Sequence, residues 1–192
     1  MVRISEAIED DHRKLATYYN IIVNSSDEDE QTRFQNQFTW ELARHAVAEE
    51  LVVFPAIEKH VPGGQSKTND DRREHKTIKE MLDVFQDLNA SDPSFIPTIT
   101  LLMEGLAQHM RDEETNDLVR LEESVTEEES EKLAQSLNRT KMFVPSRAHP
   151  SDPDKPMYAT AAGLLTAPLD HLQDLFRKWP EEEDTNIRAP ME

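Results

Sequence analysis

The sequence predicts an all-α protein: an up-down-up-down four-helix bundle with a C-terminal extension that ends in one amphipathic helix. Three observations lead there. Only four glycines occur in 192 residues and 31% of the residues are charged, a composition that suits helices. Apolar residues recur at helical spacing in four successive stretches, and few stretches alternate in the manner of strands. Short polar turn signals separate the four stretches, so sequential helices should pack antiparallel.

The first helix is expected to start near Ser5, with Glu6 in its first turn, and to turn Ile4, Ile8, His12, Leu15, Tyr19 and Ile22 inward. NSSDEDE (24–30) reads as a turn followed by a helix start. The second helix runs to about His60 and carries Phe38, Leu42, His45, Glu49 and Val52 on one face. Pro55 lies inside it, removes one backbone hydrogen bond to Leu51, and predicts a kink. VPGGQS (61–66) turns the chain into a third helix over about 68–89, with His75, Ile78, Leu82 and Phe85 in its stripe. NASDP (89–93) places Asp92 as an N-cap and Pro93 at the first helical position. The fourth helix aligns Ile99, Leu102, Leu106, His109 and Glu113. EESVTEEES then reads as a surface break before a short helix near 126–139.

Residues 1–140 therefore read as the bundle with its site, and 141–192 as a Pro-rich extension whose one helix packs on it. Seven of the eleven prolines lie beyond Val144, and VPSRAHPSDPDKP (144–156) reads as extended. Thr166-Ala167-Pro168 is a helix-start signature, followed by a stripe of Leu165, Leu169, Leu172, Phe176 and Trp179. That stripe should dock on the bundle; a homodimer formed through this helix is the alternative.

Lys+Arg is 21 and Asp+Glu is 39, giving a net charge of -18. Such a chain repels phosphate backbones and anionic membrane surfaces, so neither nucleic acid nor a membrane is an expected partner. The absence of cysteine excludes disulfides, zinc-thiolate sites, iron–sulfur clusters and cysteine nucleophiles. No run approaches the roughly 20 apolar residues of a membrane span. MVRISEAIEDDH has no apolar signal core, and a cytoplasmic protein is expected. No phosphate loop, dinucleotide fingerprint or serine nucleophile constellation supports a kinase, dehydrogenase or hydrolase.

Each of the four stripes has one histidine near its middle: His12, His45, His75 and His109. A single inward histidine is ordinarily a hydrogen-bonded core residue. Four at one level of a bundle, joined by two carboxylates, call for more. HAVAEE (45–50) and HMRDEE (109–114) are both His-x-x-x-Glu-Glu, which sets His45 with Glu49, and His109 with Glu113, on one helix face. DDHRKL (10–15) and REHKTI (73–78) repeat an acidic-His-basic pattern. The chain thus reads as two similar helical hairpins. The chemistry that needs this set is a dinuclear metal site, with two nitrogens and two carboxylate oxygens for each ion and a bridging oxo or hydroxo group as a fifth ligand. Nitrogen and oxygen donors without sulfur suit iron or manganese, with zinc as the alternative.

These pieces resemble the hemerythrin-like, or HHE cation-binding, family. The matching segments are EDDH at His12, His-x-x-x-Glu-Glu with Phe54-Pro55 after it, EHKTI around His75, and the second His-x-x-x-Glu-Glu, over roughly residues 1–125. The resemblance implies two non-haem iron ions held by His12, His45, Glu49, His75, His109 and Glu113, with Glu49 and Glu113 bridging. Oxygen-carrying members have a further histidine four residues after the first one of the third helix; here that residue is Lys79. The departure counts against pure reversible oxygen carriage and leaves Glu80, Asp71 or a water to fill the position. Glu50 and Glu114 fall one residue off the ligand face and are read as hydrogen-bond partners of the histidines. The extension resembles that of fungal members. His149 within it caps the open side of the site, contacts a substrate, or is a surface-loop residue, and His171 is expected to be exposed. The function implied is binding of, or reaction with, O2 or NO at a His4Glu2 centre. The alternatives are a diiron oxygenase or oxidase acting on a small organic substrate, and iron sensing or storage.

Overall fold

Burying four apolar stripes together dictates the arrangement. In a computed structural model that describes residues 2–148, 161–181 and 184, with backbone alone over 161–166, every regular element is a helix. α1 (Ile4–Asn24) begins where the Glu6 carboxylate accepts the Arg3 N–H at 2.8 Å. α2 (Glu28–Ala48) follows, with the Asp27 carboxylate accepting the Asp29 N–H at 2.9 Å as its N-cap. The same rod passes through a π-helical turn (Glu49–Val53) and resumes as α3 (Phe54–His60). The break expected at Pro55 takes this form: Pro55 sits in the first turn of α3, and the Phe54 N–H reaches back five residues to the Glu49 carbonyl.

Gly63, with φ 78°, turns the chain, and a Cβ on Gly64 would lie 2.3 Å from the Ile57 carbonyl oxygen. α4 (Gly64–Gln86) therefore starts and ends earlier than the periodicity predicts. α5 (Phe95–Asp112) starts two residues after Pro93. Asp92 does not cap it; its carboxylate accepts the Asn89 N–H at 2.8 Å and closes the preceding turn. α5 runs through a second π turn (Glu113–Asp117) into α6 (Leu118–Ser124). α7 (Glu127–Lys141) is started by a Thr126/Glu129 capping box, and α8 is Ala161–Asp174.

The four rods, α1, α2–α3, α4 and α5–α6, each pack on the next, and the last closes on the first. Two apolar clusters fill the interior. One gathers Leu15, Phe34, Phe38, Leu82, Phe85 and Phe95. The other gathers Ile8, Val53, Phe54, Ile57, Leu118 and Leu137. The predicted histidine positions fall between them: His12 separates Ile8 from Leu15, and His45 separates Leu42 from Ala48. α7 lies across α1, α2 and the first π turn, with Ser130 accepting the Ile4 N–H at 2.9 Å.

The extension meets α2 differently from the expected stripe. Leu169, Leu172 and Phe176 point outward, Phe176 at 86% exposed, whereas Ala167, Asp170 and Asp174 are buried. Polar bonding sets this face. Ser146 donates to Asp174 at 2.5 Å, the His171 Nε2 lies 3.1 Å from the Val144 carbonyl, and Arg147 donates to Asn36 at 2.9 Å. His171 is accordingly half-buried rather than exposed. Only Trp179 of the predicted stripe makes an aromatic contact, edge-on to Trp40 at 6.3 Å; the side chain of Leu165 and all of His149 lie outside the described residues.

Candidate metal centre

The four helical stripes bring His12, His45, Glu49, His75, His109 and Glu113 into one buried layer. Ligand atoms of His12, His45, Glu49 and Glu113 lie within 4.8 Å of one another, and so do those of Glu49, His75 and His109. Glu49 belongs to both sets, as a bridging carboxylate must, while Glu113 belongs to the first set alone. The Nε2 atoms face inward: His45 Nε2 is 3.1 Å from Glu49 Oε1, His75 Nε2 is 3.4 Å from Glu49 Oε2, and His12 Nε2 is 3.4 Å from Glu113 Oε2. His75 and His109 bring their Nε2 atoms within 3.0 Å of each other.

The other ring nitrogen of every histidine faces a carboxylate. His12 Nδ1 is 2.7 Å from Glu114, His45 Nδ1 3.3 Å from Asp11, His75 Nδ1 3.2 Å from Glu50, and His109 Nδ1 2.9 Å from Glu74. A carboxylate there takes the Nδ1–H and leaves the Nε2 lone pair pointing at the centre. The pattern follows the two hairpins. The acidic residue just before His12 serves His45, and the one before His75 serves His109. The second glutamate of each His-x-x-x-Glu-Glu crosses to the opposite hairpin. Asp11 and Glu74 escape an analysis of inward stripes, but the acidic-His step common to DDHRKL and REHKTI is their signal.

Both π turns begin at a central carboxylate, Glu49 and Glu113. Widening the turn lets Glu49 and Glu50 both be buried in the α2–α3 rod. Pro55 removes a helical donor there, whereas the second π turn has no proline, and its cause lies outside local sequence.

Burial, reinforced by Glu113, pushes Glu49 well above the usual carboxylate range. Burial also acts on Glu113, but contacts with His12, His109 and His45 outweigh it and bring that carboxyl down to about 2. Burial lowers His75 to about 4 and lowers His45 as well. Burial opposes protonation of His12 too, yet Glu113 and Glu114 raise it. His12 Nε2 and both oxygens of Glu49 and Glu113 are buried without a hydrogen-bond partner. Orphaned buried polar atoms are costly, and a cation drawing on all of them removes the cost. The donor set of imidazole nitrogens and carboxylate oxygens thus fits a divalent metal of the iron, manganese or zinc type.

The comparisons agree with this chemistry. The family model described as the hemerythrin HHE cation binding domain matches residues 3–121. The chain belongs to the hemerythrin family. It is 50% identical over 181 residues, 94% of this chain and 89% of the relative, to an uncharacterized hemerythrin-like protein of Schizosaccharomyces pombe. It is also 23% identical over 146 residues to a DNA nickase of Nostoc sp., covering 76% of this chain but 41% of that protein. No solved structure matches the chain.

At the position where this hemerythrin-like chain departs from the oxygen carriers, Lys79 points its Nζ at Glu50, 2.5 Å away, and so engages the carboxylate that holds His75. Glu80 is exposed and belongs to neither set. Asp71 is held by Lys67 at 2.6 Å and groups with Glu74 and His109 instead, in a third set of metal-ligating type. No helix among the described residues is long and apolar enough to cross a membrane.

Proposed function

We propose that this chain holds two non-haem iron ions, one at His12 and His45 and one at His75 and His109, and that it binds or reacts with O2 or NO there. In this reading Glu49 would serve both ions, and Glu113, grouped with His12 and His45 alone, would complete the first set and reach the second ion only after a shift of its side chain. The observation that carries it is the place of Glu49 in both ligand sets, with both its oxygens unpartnered. Ferrous ions in a nitrogen- and oxygen-donor site supply electrons and open coordination positions to a diatomic ligand.

The chain's own residues do the rest. Asp11, Glu50, Glu74 and Glu114 fix the ring tautomers. The apolar clusters above and below the layer exclude water, with the Phe54 ring 5.0 Å from His75. Burial and Glu113 disfavour the Glu49 anion in the metal-free protein, whereas a cation on its oxygens would favour it, so metal uptake releases protons.

One observation favours the second reading, an oxidase or oxygenase acting on a small organic molecule. The first set offers four donors and the second three, with Lys79 where a carrier has a further imidazole. Unequal coordination favours reaction over closed, reversible binding. The nickase activity is not extended to this chain, because a net charge of -18 opposes a phosphate backbone.

The test is an optical spectrum of anaerobically purified, reduced protein before and after exposure to air. A visible band that forms and is removed by evacuation supports oxygen binding. A band that decays in time supports an oxidase. An unchanged spectrum in iron-loaded protein overturns both and leaves storage or sensing.

A further inference from the structure

The four carboxylates behind the histidines are not alike. Glu114 and Glu74, which face His12 and His109, have side chains 37% and 49% exposed. Asp11 and Glu50, which face His45 and His75, are buried, and each is paired with a lysine. Lys79 Nζ lies 2.5 Å from Glu50 Oε1, and Lys141 Nζ lies 2.5 Å from Asp11 Oδ2. Lys79 belongs to the bundle. Lys141 ends α7, twenty residues beyond the segment 3–121 that matches the family.

Lys141 is held in place. It is itself buried, and Arg44 donates its Nε–H to the Lys141 carbonyl at 2.5 Å. Glu41 lies 3.6 Å from its Nζ, and Lys14 approaches the other Asp11 oxygen at 3.5 Å. Burying an ammonium costs too much to be incidental unless it is paired. Its pairing ends on the carboxylate that faces His45 Nδ1, the ring nitrogen turned away from the centre.

We propose that Lys141 is a positioning residue of the metal centre, which acts on His45 through Asp11. This rests on the metal-binding function proposed above. The ammonium anchors the Asp11 carboxylate, so His45 keeps its Nδ1–H and offers Nε2 inward. It also offsets the carboxylate's negative charge, so His45 donates less electron density than it would beside a bare aspartate. A metal on that ring is then harder to oxidise. Loosening the hydrogen-bond partner behind a ligand histidine is typically worth about 10–100-fold at the metal.

The test is the midpoint potential of full-length, iron-loaded protein, measured with iron content on the same samples. Lys141→Met should retain iron and lower the potential, equivalent to about a tenfold change in the ratio of oxidised to reduced metal. Lys141→Arg should restore it. Lys132→Met, at an exposed pair with Glu128 on the same helix, should leave it unchanged. Lys141→Met should add nothing in an Asp11→Asn background. Should the methionine variant fail to fold, Lys141→Gln takes its place. An iron-loaded Lys141 variant with the wild-type potential, or one that shifts it equally without Asp11, overturns the inference alone. A wild-type chain that loads no iron overturns the function as well.

Discussion

Glu49→Gln should make the metal-free protein more stable while removing its metal. Glu49 is fully buried, both its oxygens lack hydrogen-bond partners, and Glu113 adds repulsion. Leaving such a group unsatisfied costs about 1–3 kcal/mol. A glutamine keeps the shape, carries no charge, and can donate an amide N–H to the Nε2 of His45, which lies 3.1 Å from the present Oε1. The metal-free variant should therefore gain on the order of 1–3 kcal/mol, or about 2–4 °C in Tm for each kcal/mol in a chain of this size. The holo protein should show the reverse order, because the amide cannot replace a bridging anion. Thermal unfolding of wild type and variant, each with excess chelator and with ferrous iron, reads both effects. A metal-free variant less stable than wild type, or one whose Tm rises with iron as wild type does, would refute the reasoning.

Burial lowers His75 to about 4 from 6.5, so its unfolded form takes up the proton first. Its contribution is present above pH 6.5 and is lost as pH falls toward 4, on the order of 3 kcal/mol. Urea unfolding of metal-free wild type and His75→Gln should converge by that amount between pH 7 and pH 4; parallel pH curves would contradict it. Lys79→Met strands the buried Glu50 carboxylate and should cost about 3 kcal/mol, falling near zero in a Glu50→Gln background; equal costs in both backgrounds would deny the coupling. On α8, Leu169→Ser should change stability by less than about 0.5 kcal/mol. Asp174→Ala, which removes the acceptor of Ser146 and the ion-pair partner of Arg147, should cost about 1–3 kcal/mol. Chemical denaturation orders the two, and the opposite ranking would restore the apolar stripe as the docking face.

Most of the bundle was legible because one rule, an inward stripe of period 3.6, governs four rods whose buried residues are mainly apolar. The six central residues were legible for a related reason: histidine and glutamate in an apolar stripe violate that rule, twice over in a repeat. The partners behind them were harder. Glu50 and Glu114 were within reach of spacing arguments, while Asp11 and Glu74 sit between the stripe and the surface, where an acidic residue looks ordinary. Lys141 comes from a helix whose docking no local pattern specifies. The face of α8 ran against its own hydrophobic pattern, because bonds from Ser146, Val144 and Arg147 to its polar side fix its orientation. The π turns differ again. Pro55 announced a break in the α2–α3 rod, but nothing in EETND announced the one in α5–α6.

The most direct measurement of the central claim is metal stoichiometry by elemental analysis of protein expressed in iron-replete medium, wild type beside His109→Ala. The account predicts two irons per wild-type chain and a loss of metal in the variant. One zinc, no metal, or two irons retained without His109 would contradict it.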